Sequence, residues 1–158
     1  MFKKILVALD WSEVAQSILP PVRTLASGSN AEVILLHVVQ DPQYEDGLGD
    51  TMVQAPLGAD AATIHFEYRG YLDAAAAALK EAGINARVVL RVGRAADTIL
   101  ACADDMQADV IAMSTHARGV VPRLLMGSVA DEVLHRARIP VLLVRPQAVS
   151  EPSAPAPA

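Results

Sequence analysis

The sequence predicts one three-layer α/β domain: a five-stranded parallel sheet with helices on both faces. Three observations carry this. Short apolar runs alternate along the chain with longer stretches of helical periodicity, and strands that alternate with helices pair in parallel. The runs are apolar at successive positions, which suits strands covered on both faces. The 158 residues match one domain with one sizeable core. At 53% hydrophobic and 20% charged, the chain is not of the disordered kind. Aromatics are only 4%, so aliphatic side chains and alanine must fill the core. No internal repeat is present.

Lys3-Lys4-Ile5-Leu6-Val7-Ala8-Leu9-Asp10 contains the first apolar run. Ser12 is placed to cap a helix, with Glu13 in its first turn at the positive end of the dipole. Ala15, Ile18, Leu19, Val22, Leu25 and Ala26 recur at helical spacing, and Gly28 supplies a stop. Pro20-Pro21 falls inside that helix. An internal proline costs about 3 kcal/mol, so a kink or break is expected there. Val33 to Val39 is the second strand. From Asp41 to about Gly58, prolines, glycines and acids predict a mobile loop. Ala59 to Ala82 is a long helix through Leu72, Ala75, Ala76 and Leu79, closed by Gly83. Ala86 to Val92 is the third strand, ended by Gly93. Ala96, Ile99, Leu100 and Ala103 form one face of a helix running to Gln107. Asp109 to Met113 is the fourth strand. Ser128 begins the last helix, through Val133, Leu134 and Ala137, and Ile139 to Val144 is the fifth strand. Residues 1–146 thus form the domain. Residues 147–158, rich in Pro, Ala and Ser, bury nothing and are expected to be a disordered tail.

Composition also narrows the function. A net charge of −5 and a pI near 5.2 argue against a nucleic-acid polymer as partner, since a phosphate backbone demands a basic face. One cysteine, Cys102, makes neither an internal disulfide nor a zinc cluster and reads as a small core hydrophobe. Asp10 stops the first apolar run after Leu9, well short of a signal-peptide core of about 7–15 residues or a membrane span of about 20. A soluble, cytoplasmic protein with no membrane partner is expected.

In parallel sheets of this kind, ligands sit outside the carboxyl ends of the strands, where strand order reverses. That directs attention to Asp10, Val38-Val39, Gly93 and Met113-Ser114. The long connection from Ser114 to Ser128 starts with small residues at a strand end and finishes with Gly127-Ser128 at a helix start. Small residues admit a ligand to the backbone, and free N–H groups with the helix dipole favour phosphate. The connection holds Arg118, Arg123 and His116 and no acid, so two arginines make it +2 within a chain of −5. Plainer readings stand beside these. Ser128-Val129-Ala130-Asp131 also reads as a capping box with Asp in place of Glu. Asp10 also reads as a solvated strand end, and His37 as a satisfied core histidine. There is no Gly-x-x-x-x-Gly-Lys-Ser/Thr, Gly-x-Gly-x-x-Gly or His-Glu-x-x-His. Ser114 and His116 stand too close in sequence for a nucleophile–base pair, and no nucleophile elbow is present. No catalytic residue or metal ligand is nominated.

Taken together, residues 1 to about 146 resemble the universal stress protein family. Lys3-Lys4-Ile5-Leu6-Val7-Ala8-Leu9-Asp10-Trp11-Ser12 resembles its first strand and acidic strand end, and Val33 to Val39 its second strand. Asp109 to His116 resembles its fourth strand, and Leu124 to Val133 and Ile139 to Arg145 its closing helix and strand. The resemblance implies a flavodoxin-like or adenine nucleotide alpha hydrolase-like domain that binds ATP. Many members do so through Gly-x-x-Gly, nine residues, then Gly-Ser or Gly-Thr. Here nine residues, Arg118 to Met126, separate Ala117 from Gly127. Carried over, Gly127 and Ser128 hold the phosphates, with Val129 beside them. Asp10 holds the ribose, with Ala8 close by, and the backbone at Val38 and Met113 flanks the adenine. Ser114 and Ala117 replace the two leading glycines. Where such a position needs φ > 0, a Cβ costs about 1–2 kcal/mol, or about 5–30 fold in affinity. The resemblance leaves open whether Mg²⁺ joins the phosphates and whether ATP, AMP or cyclic AMP is the ligand. It implies a stress-response regulator and, at most, a very slow ATPase. It also implies a homodimer through the edge strand Ile139 to Val144. The alternative is a nucleotide-free dimeric stress protein acting through protein–protein interaction, with the segment from Asp41 to Gly58 meeting partners.

Overall fold

Residues 1–10, 12–39, 61–115 and 127–145 are described by the structure, a computed structural model, with backbone alone described at 13, 14 and 61–68. Among these residues five strands form one parallel sheet: β1 (Lys4–Ala8), β2 (Glu32–Val39), β3 (Ala86–Val92), β4 (Val110–Ser114) and β5 (Val141–Val144). They lie in the order β3-β2-β1-β4-β5. Four α-helices connect them: α1 (Leu19–Ser29), α2 (Ala61–Glu81), α3 (Ala95–Met106) and α4 (Ser128–Arg136). The three-layer α/β architecture expected from the sequence is therefore present. The strand order is that of dinucleotide-binding sheets rather than the 2-1-3-4-5 order of flavodoxin.

The layers follow from strand alternation. Ile5, Val7, Val33, Leu35, Val110 and Ala112 pack with Val22 and Ala26 of α1 and Leu72, Ala76 and Leu79 of α2. Leu6, Ile34, Ile111 and Met113 point to the other face, against Ala96, Ile99 and Ala103 of α3 and Ala130 and Val133 of α4. Central strands buried on both faces explain the uninterrupted apolar runs. Cys102 is buried in the second layer, as expected of a small core hydrophobe, and burial pushes its thiol pKa up.

The first connection departs from the expected kinked helix. A 3-10 helix, Glu13–Ile18, hands over to α1 at Leu19, so both prolines stand in the first turn of α1. The missing proline N–H groups are spare there, and the fixed φ suits a helix start. Gly28 does not stop α1. Asn30 does so, in the left-handed conformation at φ 52, with its N–H donating to the Ala26 carbonyl. Asparagine tolerates that region better than most residues. Elsewhere small residues end elements as expected: Gly83 at φ +78 follows α2 and Gly93 at φ +151 follows β3. The expected loop from Asp41 to Gly58 and the tail from 147 lie outside the described residues.

Candidate functional site

Successive right-handed crossovers build the sheet outward from β1 to β3 on one side, then return to add β4 and β5 on the other. The reversal lies between β1 and β4. Helices α1 and α2 cover one face and α3 and α4 the other, and the 3-10 helix after β1 lies against β4. Such a switch point is where open α/β sheets hold ligands.

On the β1 side, Ala8 stands level with Leu36 of β2 and Met113 of β4. Asp10 follows one residue beyond Leu9. Its Oδ1 accepts from Ser12 N–H at 2.9 Å and Ser12 Oγ at 2.5 Å, and Ser12 Oγ in turn accepts from Ala15 N–H at 3.1 Å. This relay starts the 3-10 helix and fixes the carboxylate at the mouth of the gap. Asp10 therefore does more than solvate a strand end. Its charge also reaches His37 and Tyr71, raising the pKa of each, although burial has the larger effect on both. His37 is the satisfied core histidine that the sequence suggested: its Nδ1 lies 2.7 Å from the Leu9 carbonyl. Burial sets its pKa below the ordinary 6.5 despite that bond.

On the β4 side, Met113 and Ser114 are buried, and Ser114 is level with Val144. Thr115 N–H donates to the Val144 carbonyl at 2.9 Å, while its buried Oγ1 has no hydrogen-bond partner among the described residues. An orphaned hydroxyl at a switch point is costly unless something completes it. Thr115 is a candidate that sequence reasoning passed over. Periodicity places the residue at a strand end but does not report whether its hydroxyl finds a partner.

Helix α4 follows the connection from β4. Gly127 is its N-cap at φ −65 and ψ 153, with no side-chain cap. Asp131 N–H donates to the Gly127 carbonyl at 2.9 Å, and Ser128 is the first helical residue. The capping box read from Ser128 to Asp131 is not formed, because Ser128 lies one position inside the helix. Asp131 instead lies 3.5 Å from His135, one turn on. Ser128, Val129 and Ala130 thus begin a helix whose first N–H groups meet no capping side chain among the described residues, an arrangement that suits an anion. Helix α4 is tied to α3 by charge: Arg94 grips Glu132 with two bonds of 2.8 and 2.9 Å, and Arg136 bonds Asp97 at 2.6 Å and Glu132 at 2.5 Å.

The structure thus brings Ala8, Asp10, Val38, Met113 and Ser114 to the carboxyl ends of β1, β2 and β4, and gives α4 an open N-terminus at Gly127, Ser128 and Val129. Ala117, with His116, Arg118 and Arg123, lies outside the described residues. Among the described residues, no group of three or more His, Cys, Asp or Glu could hold a metal ion, and no helix is long and apolar enough to cross a membrane.

Sheet order, switch point and the glycine-capped helix define a doubly wound α/β domain. The profile of the universal stress protein family matches residues 1–145, and the chain belongs to that family. Universal stress protein MJ0577 of Methanocaldococcus jannaschii is 26% identical, covering 92% of this chain and 96% of its own. A universal stress protein of Thermus aquaticus is 33% identical, covering 92% of this chain and all of its own. The solved structure of MJ0577 superposes with a TM-score of 0.74 at 27% identity, over 94% of this chain and 99% of that one. Two more distant structures share the fold. One is a universal stress protein in complex with cAMP, at TM-score 0.66 and 23% identity over 91% of this chain and 97% of that one. The other is the Archaeoglobus fulgidus protein in complex with dAMP, at TM-score 0.63 and 22% identity over 89% and 96%.

Proposed function

We propose that this protein binds an adenine nucleotide, ATP in the first instance, and acts as a stress-response regulator rather than an efficient enzyme. The observation that carries this reading is the β1/β4 switch point, with the Asp10 carboxylate just beyond β1 and α4, whose N-cap is a glycine, following β4. A carboxylate accepts from ribose hydroxyls, and free helix N–H groups with the dipole stabilise phosphate. The cAMP and dAMP carried by two structures of the same fold support an adenine ligand. In the proposed pose Gly127, Ser128 and Val129 meet phosphate, Ser114 and Ala117 line the same connection, and Asp10 with Ala8 meets the ribose. Val38 and Met113 flank the base. Mg²⁺ would be held by the phosphates, since the described residues bring no acidic cluster to the crevice. Turnover is expected to be slow, since the sequence presents no catalytic base or metal-binding carboxylate pair near the connection. The lone cysteine supports a cytoplasmic placement. The reading includes a homodimer through β5, argued below.

A thermal melt of the purified protein with millimolar ATP, against GTP, tests the reading. Ligand at about 100 times its dissociation constant stabilises by about 2.7 kcal/mol, which raises the midpoint of a domain this size by several degrees. Gly127→Val should abolish the ATP shift and leave the unliganded midpoint nearly unchanged. At φ −65 and ψ 153 the backbone accepts valine. No ATP shift in the wild type, after any co-purified ligand is stripped, favours the nucleotide-free dimeric interaction protein instead.

A further inference from the structure

Pairing between β1 and β2 is regular over most of its length. Glu32 N–H donates to the Lys3 carbonyl at 2.8 Å, and Leu9 N–H donates to the Leu36 carbonyl at 2.9 Å. Even-numbered residues of β2 therefore turn N–H and C=O toward β1. Odd-numbered ones face β3, as in the 2.8 Å bond from Val33 N–H to the Asn85 carbonyl and the 3.0 Å bond from Gly93 N–H to the Val39 carbonyl. The next rung on the β1 side would join Val38 N–H to the Leu9 carbonyl. It is not formed. The register ends at Ala8 and Leu36, and the Leu9 carbonyl accepts from His37 Nδ1 instead. Strand β2 does not fray here, because its pairing with β3 runs on to Val39 and Val92. Among the described residues, the β1-facing N–H of Val38 has no backbone partner there.

We infer that His37 is a positioning residue: by occupying the Leu9 carbonyl it uncouples Val38 from β1 and leaves the Val38 N–H and C=O to read the edge of an adenine base. The inference rests on the adenine-nucleotide reading above and deepens it. Adenine presents an acceptor at N1 beside a donor at N6, which match an N–H and a C=O of one residue. Guanine presents a donor at N1 and an acceptor at O6, so donor would face donor and acceptor would face acceptor. Buried polar groups left opposed in this way reject a ligand strongly. His37 suits the task because its neutral ring, with the proton on Nδ1 fixed by the Leu9 carbonyl, donates without placing a charge beside the base. Its removal would let Val38 N–H close on Leu9, zip β1 to β2 by one more rung and shut the slot.

Two variants and two readouts on the full chain test this. His37→Asn keeps an N–H near the position of Nδ1, whereas His37→Leu removes it. Amide exchange by NMR, without nucleotide, should find Val38 exchanging about tenfold or more faster than Leu36, and slowed in His37→Leu. ATP affinity by calorimetry should fall about tenfold or more in His37→Leu, with the ATP-over-GTP preference reduced, and stay within about threefold of wild type in His37→Asn. A merely structural histidine would lower stability without moving that preference. ATP binding by the wild type that His37→Leu retains in full, preference included, overturns the inference and spares the nucleotide reading. A wild type that binds no ATP overturns both. Wild-type exchange needs no variant, so a Val38 amide as protected as Leu36 overturns the inference even where His37→Leu does not fold.

Discussion

His37 and Asp109 each make stability depend on pH, in separate windows. Burial is the largest influence on His37 and holds its pKa below 6.5, so the unfolded chain takes up a proton that the folded one resists. The contribution of the neutral ring is complete above 6.5 and is lost as pH falls from there through the folded value. Asp109 accepts from the Lys3 and Lys4 amides at 2.7 and 2.8 Å, and these bonds hold its carboxyl below the ordinary 3.8. Its contribution is present above 3.8 and is lost as pH falls further. Asp97, held down chiefly by Arg136 and then Arg94, adds to the same acid window. The urea midpoint should therefore be flat between about pH 7 and pH 8, decline below about pH 6.5 and decline again below about pH 4. His37→Asn should remove the first decline and leave the second, and Asp109→Asn should shrink only the second. An unchanged slope between about pH 7 and pH 5 in His37→Asn would rule out the histidine as its source. The sequence identified His37 as a core histidine from its apolar strand. Its partner, Leu9, lies 28 positions away and is fixed only by strand register, which no local pattern reports.

Elements were legible where one local signal dominated and blurred where two competed. The sequence places β3 from Ala86 to Val92, as found, because Gly93 punctuates a valine-rich run. Around Pro20-Pro21 the apolar periodicity ran through the prolines, and only the fold reveals that a 3-10 helix precedes α1 and absorbs them. At α4 a plausible capping box lost to a start one residue earlier, at Gly127. The punctuation at Gly93 has a steric basis that can be tested. A Cβ built there would lie 2.6 Å from Thr98 Oγ1, and φ +151 is itself hostile to an L side chain. Gly93→Ala should cost about 1–3 kcal/mol, the range for strained backbone positions, read as a lower urea midpoint with unchanged slope. Thr98→Ala in the same chain should restore part of the loss, because it relieves the contact and leaves the backbone strain. Full restoration would assign the cost to the contact alone, and no loss in the single variant would show that the β3–α3 turn yields freely.

The two edges of the sheet are managed differently, and the difference bears on how the molecule exists in solution. β3, at one edge, carries exposed Arg87 and Arg91, which bond Glu32 at 2.7 Å and approach Asp105 at 3.9 Å. Charged side chains of this kind discourage another strand from adding on. β5, at the other edge, is Val141-Leu142-Leu143-Val144, all four half-exposed and none charged. Leu142 and Val144 pack toward the α1/α2 layer, and Val141 and Leu143 toward the α3/α4 layer. Both faces of the strand are therefore covered from within, yet each remains partly bare along the open edge. A second copy of β5 related by a two-fold axis would satisfy the unpaired backbone and cover these side chains at once. The wild type should then scatter light at micromolar concentration as twice 16.7 kDa. Leu143→Lys should halve that mass, by placing an ammonium where two apolar edges meet. Val92→Lys is the matched control: Val92 is 65% exposed on the opposite edge, and its substitution should leave the mass unchanged. A monomeric wild type would remove β5 as a pairing edge. Equal loss of mass in both variants would instead tie assembly to net charge rather than to this strand.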